Sequence, residues 1–155
     1  MTAATETDTR FYLLCLAGSV QCALPLSDVV EVMRPPPAEA LAGAPSFVSG
    51  VAVVRGAPLL VVVLQRLFGG DEQPPDRLVV ARSGSRRVGL AVNGIVGVRA
   101  LSRQLLADLP PLLEHGSPAI IEIATLDNAL LLLLDAARIV PDDVFARLEG
   151  RAMAS

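Results

Sequence analysis

This 155-residue chain contains no lysine and no tryptophan, and it has one histidine, one tyrosine and two cysteines. Each shortage removes a class of chemistry. Without lysine there is no Schiff-base nucleophile and no P-loop cation under a phosphate. All 13 basic residues are arginines, the longest basic run is Arg86-Arg87, and aromatic residues make up only 3% of the chain. A basic, ring-studded surface for nucleic acid is therefore not expected. Cys15, Cys22 and His115 are the soft metal ligands, and none sits in CxxC or HExxH spacing, so neither metal nor cofactor is expected. The longest apolar run, Ala57 to Leu64, is interrupted by Pro58 and falls far short of the roughly 20 residues of a membrane span. The opening MTAATETDTR is polar and acidic, unlike a signal peptide. The expectation is a cytoplasmic, reducing compartment with free thiols.

What is present is apolar mass. Hydrophobic residues make up 52% of the chain and the net charge is -3, which excludes disorder and suits one domain with a real core. Runs between turn signals read as strands. Phe11 to Leu16 and Val20 to Leu26 flank Ala17-Gly18-Ser19 as a hairpin with a short glycine-containing loop. A two-residue loop sets Cys15 opposite Cys22, and a longer loop shifts that register. Ser27 or Asp28 is expected to cap one helical turn before Pro35-Pro36-Pro37. Phe47 to Val54 reads as a strand interrupted by Gly50, and Leu59 to Leu64 as a strand buried on both faces. Asp71 to Asp76 reads as an exposed loop.

The second half repeats the style. Arg77 to Arg82 and Arg86 to Val92 flank a turn, and Asn93-Gly94 reads as a hairpin or bulge before Ile95 to Leu101. Ser102 is expected to cap a short helix. Ala119 to Leu126 and Ala129 to Leu134 form a last hairpin around Asp127-Asn128, and a C-terminal amphipathic helix follows Pro141. About ten short strands with frequent turns point to an all-β class of small barrels or a sandwich.

Reactive groups are sparse. His115 has no GxSxG or comparable nucleophile motif beside it. Glu122 within an apolar strand and Asp135 at the end of another make no acid/base pair by spacing alone. Gly69-Gly70 and Gly84-Ser85 lack a phosphate-loop context. No catalytic residue is expected. Arg55 stands out because it lies between two apolar strands, and arginine's planar fork suits protein interfaces.

Several segments occur in a telling order: Ala23-Leu24-Pro25-Leu26, Val29-Val30-Glu31-Val32, Ala44-Pro45-Ser46-Phe47-Val48-Ser49-Gly50-Val51 and Val54-Arg55-Gly56. They continue through Leu60 to Leu64, Arg87 to Asn93 and Leu131 to Asp135. Over roughly Phe11 to Val140 the chain resembles the CheW-like domain of bacterial chemotaxis signalling. The resemblance implies two intertwined, five-stranded SH3-like β-barrels with short helices and a hydrophobic seam. As one domain this spans 11–140, with a sub-barrel junction near 69–77, a flexible tail over 1–10 and a C-terminal helix or tail over 141–155.

The implied function is a non-catalytic adaptor. It would bind the regulatory domain of a CheA-type histidine kinase and the cytoplasmic hairpin tip of a chemoreceptor, without entering the membrane itself. It would be cytoplasmic and recruited to receptor arrays. Arg55 and Gly56 match the family's RG turn beside the receptor groove, and Val29, Glu31, Gly50 and Val51 match partner-contact positions. Three positions depart from the family pattern: Val63 and Asn93 replace common aspartates, and Glu122 replaces a frequent glycine. Such departures fit either the main adaptor or a divergent paralogue in a motility or developmental pathway. A small-ligand-binding β-barrel sensor is the alternative that composition alone leaves open.

Overall fold

The computed structural model describes residues 9–69, 71–108 and 119–154; His115 lies outside them. The strands are β1 (Thr9–Ala17), β2 (Val20–Pro25), β3 (Val29–Met33), β4 (Val48–Val54), β5 (Ala57–Val63) and β6 (Arg77–Ser83). They continue with β7 (Arg86–Val92), β8 (Gly94–Ser102), β9 (Leu106–Asp108), β10 (Ile120–Leu126) and β11 (Ala129–Leu134), and the helix α1 spans Asp142–Ala154.

Two sheets result. One has the order β8-β1-β2-β11-β10-β9, and the other β3-β6-β7-β5-β4. The first sheet thus draws on both halves of the chain, while the second is inserted between them. Parallel pairing of β2 with β11 and of β5 with β7 completes each sheet around antiparallel hairpins. The chain changes sheets at the turn Leu26–Asp28 and again at Asn93. The 69–77 segment, expected near a junction, instead links β5 to β6 inside one sheet.

Three further expectations change. The first sheet has six strands rather than five, because Leu106–Asp108 forms an edge strand against β10. Leu26–Asp28 takes the helical turn, but Ser27 and Asp28 do not cap it, and Val29–Met33 is a strand on β6. Three valines in five residues, stiff at χ1, favour the pleat there. Asn93-Gly94 is not a hairpin, since β8 leaves β7 to pair with β1. The Gly18-Ser19 loop does have two residues, so Cys15 lies directly across from Cys22.

Alternation along the strands explains the apolar content. Leu13, Cys15, Cys22 and Leu24 of the first sheet meet Leu60, Val62, Val79, Val88 and Leu90 of the second in one central core. The opposite faces of the same strands are also covered. Tyr12, Leu14, Leu131 and Leu133 form a second cluster, and Val54, Leu59, Val61 and Val80 a third. A strand buried on both faces has no polar side to offer, hence Leu131 to Leu134 and Leu59 to Val63. Each fully buried leucine contributes about 1.5–3 kcal/mol. Phe145 and Leu148 of α1 close the central core from one end.

Candidate partner-docking site

The turn between β4 and β5 places two consecutive residues at positive φ, Arg55 at 52° and Gly56 at 77°. Such a turn matches the twist of a tight hairpin, and glycine fills the second position without strain. Arginine in the left-handed region is unusual, because its Cβ crowds the backbone. What holds it is Glu31 of β3. The Arg55 Nε donates to one Glu31 carboxylate oxygen at 2.9 Å, and Nη2 donates to the other at 2.8 Å. This fork-to-fork pair lowers the pKa of Glu31, through the hydrogen bond first, and raises that of Arg55. The arginine side chain is 76% exposed and the glutamate 23%. The carboxylate is therefore the tethered partner, and the guanidinium faces outward.

A pocket of about 320 Å³ opens beside this pair. Val54, Leu59 and Val80 form its sheet walls, and Phe145 and Leu148 of α1 form the far wall. Its charged lining is Arg55, Arg86 and Arg87 against Glu31. Arg86 is committed to α1: its guanidinium carbon lies 5.3 Å from the Phe145 ring centre, and Nη1 reaches Asp142 at 3.3 Å. The pocket sits where the central core and the core of the second sheet meet. An apolar cleft with few fixed charges is the usual form of a recognition site.

The six residues singled out from sequence fall into two groups. Glu31, Val51 and Arg55 line the pocket, with Gly56 next to Arg55 in the turn. Val29 and Gly50 do not line it. Val29 packs against the central core at the start of β3. Gly50 lies at a β-bulge with φ of 152°, where a Cβ would meet the Glu39 carbonyl oxygen at 2.0 Å. Its bareness lets Glu39 pair with Val51 through two backbone hydrogen bonds, at 2.8 and 2.9 Å, and so cover the outer edge of β4. Sequence reasoning missed α1 as a wall, although its amphipathic pattern was visible. It also noted Arg86-Arg87 only as a short basic run.

The remaining carboxylate and thiol candidates have structural surroundings. Asp135 caps the turn after β11 by accepting from the Ala137 amide at 3.0 Å. Cys15 and Cys22 are buried free thiols, and burial pushes Cys15 up to about 12.

Comparison with known proteins decides the family. The family model of the CheW-like domain matches residues 12–144. The chain belongs to the CheW-like domain family. Chemotaxis protein CheW of Klebsiella aerogenes is 22% identical over 153 residues, covering 96% of this chain and 92% of that protein. Protein FrzA of Myxococcus xanthus is 34% identical over 106 residues, covering 66% of this chain and 64% of that protein. The crystal structure of scaffolding protein TtCheW from Thermoanaerobacter tengcongensis superposes with a TM-score of 0.74 at 19% identity. It covers 81% of this chain and 88% of that one. The two sheets thus correspond to the paired SH3-like barrels of the CheW fold, and the expected class holds. In this CheW-like scaffold of the chemotaxis type, no helix among the described residues is long and apolar enough to cross a membrane.

Proposed function

We propose that this CheW-like chain is a cytoplasmic, non-catalytic adaptor that joins a CheA-type histidine kinase to the cytoplasmic hairpin of a chemoreceptor. The observation that carries this reading is the pocket between the Arg55 turn and α1. It offers apolar walls of the kind that accept one face of a helix, with a positioned guanidinium at the rim. Val29, Glu31, Gly50, Val51, Arg55 and Gly56 are the proposed contact or supporting positions. Binding kinase and receptor together raises their effective concentration. Receptor state then reaches the kinase as a difference in affinity, on the order of 1–3 kcal/mol.

The test is a titration of the purified chain with a chemoreceptor hairpin fragment and, separately, with a CheA-type regulatory domain. Saturable binding of both, and a ternary complex when they are mixed, is the expected result. Failure to bind either one removes the adaptor reading.

A further inference from the structure

One helix is already seated on this site, and it is the chain's own. Phe145 and Leu148 of α1 sink into the core, 2% and 1% exposed. Asp142, three residues before Phe145, gives its carboxylate to Arg86. Spaced three apart, an acid and two apolar side chains lie along one face of a helix.

Arg87 follows Arg86 on β7 and lines the same pocket, but leaves the opposite face of the strand. Among the described residues Arg87 forms no ion pair of its own. Glu31 lies within its field, yet both Glu31 oxygens are taken by Arg55. Arg82 stands directly across from Arg87 in the β6–β7 register. Like charges so placed repel each other. Arg82 donates to the Ser27 carbonyl at 2.9 Å, which neutralises no charge. The rim of an apolar pocket thus carries surplus positive charge, in a chain whose net charge is -3.

We propose that Arg87, seconded by Arg82, receives a carboxylate from a partner protein's helix whose neighbouring apolar side chains enter the pocket. The partner helix would repeat, on the open side, the acid-x-x-apolar-x-x-apolar pattern that holds α1 on the other. This rests on the reading of the pocket as a helix-docking face and adds the charge it selects. A guanidinium fork meets a carboxylate with two parallel hydrogen bonds. A partner helix with lysine at that place is repelled, so the pair discriminates between partners as well as holding one.

The probe is a stapled, fluorescently labelled helix carrying Glu-x-x-Phe-x-x-Leu, with matched versions bearing Gln or Lys for Glu. Binding is read by anisotropy against the full chain, Arg87→Ala and Arg87→Glu. Arg87 is exposed, so all three proteins should share one thermal transition. The Glu peptide should bind the wild type about five-fold more tightly than the Gln peptide. Arg87→Ala should abolish that difference, and Arg87→Glu should prefer the Lys peptide. Equal binding of Glu and Gln peptides to the wild type, or discrimination that survives Arg87→Ala, overturns the proposal and leaves the docking face standing. No binding by any peptide overturns both. Binding of decanoate alone assigns the pocket to a small amphiphile and also overturns both.

Discussion

Glu31 and Arg55 belong to opposite margins of one five-stranded sheet, yet they share two hydrogen bonds. Glu31 is on β3, the first strand in the order β3-β6-β7-β5-β4, and Arg55 lies in the turn of the β4–β5 hairpin at the other margin. The sheet curls far enough for a side-chain pair to join its two margins where no backbone ladder does. The pair both shapes the site and holds Arg55 in its left-handed backbone. Arg55→Ala should therefore weaken receptor-hairpin binding several-fold, on the scale of interface arginines, while the protein keeps its far-ultraviolet circular dichroism. Unchanged affinity in a calorimetric titration would remove Arg55 from the interface.

Acid should act on the same pair. The pKa of Glu31 is lowered from its ordinary value of 4.5. A depressed carboxylate contributes stability that is present above 4.5 and is lost as the pH falls through the lower folded value. Glu31→Gln should flatten the acid limb of the stability profile and leave the neutral region nearly flat. A full acid limb in the variant would show that other carboxylates carry it.

Gly50 should tolerate no side chain. A Cβ would stand 2.0 Å from the Glu39 carbonyl oxygen, which is backbone and cannot swing away. Gly50→Ala should cost about 2 kcal/mol or more. Urea unfolding should show this as a lower midpoint with the slope unchanged. Amide exchange should quicken at Glu39 and Val51, which hold each other's backbone.

Asn93 should resist conversion to aspartate. Its side-chain oxygen accepts from the Gly18 amide at 2.6 Å, and its nitrogen donates to the carbonyls of Gln73 and Pro74 at 3.1 and 3.3 Å. Aspartate keeps the first bond but sets a carboxylate against two carbonyls. Asn93→Asp should lose about 1–3 kcal/mol at neutral pH, with part of the loss recovered on acidification. A variant as stable as the parent would show that the 71–76 loop is held mainly by Gln65, whose side-chain oxygen accepts from the Gln73 amide at 3.0 Å and whose nitrogen donates to the Asp71 carbonyl.

Much of the strand pattern was legible because its signals are local. Gly18-Ser19 and Asp127-Asn128 sit between alternating apolar runs, and both make the hairpins they suggest. The errors lie where distant groups decide. Asn93-Gly94 has hairpin chemistry, but β8 pairs with β1 and the Asn93 side chain bonds to Gly18. Leu106–Asp108 is too short to announce itself and becomes a strand only against β10. At the site, the pairing of Arg55 with Glu31 requires curvature that no local window contains. The wall supplied by Phe145 and Leu148 likewise depends on where α1 returns.

The facing thiols should be inert until the protein opens. Burial raises Cys15 to about 12, and burial with the neighbouring Cys15 raises Cys22 as well. An aromatic disulfide reagent at about pH 8 should label neither in the native state, and both in denaturant. Raised values mean that their stability contribution is whole below the ordinary 9.0 and is lost as the pH climbs through the folded values. Replacing both with alanine should lessen the fall in stability above about pH 9. Rapid native labelling would place the pair at an opening of the core.

The weave of the first sheet has a consequence for synthesis. β1 and β2 are made before the second sheet, but β8 and β11, which flank them, are made only after the whole of it. The early hairpin must wait with both backbone edges unpaired while the inserted barrel folds without it. Leu13, Cys15, Cys22 and Leu24 meanwhile need a shelter that arrives from the middle of the chain. Completion is thus ordered from the inside outward: β8 closes the free edge of β1, and only then does β11 close that of β2.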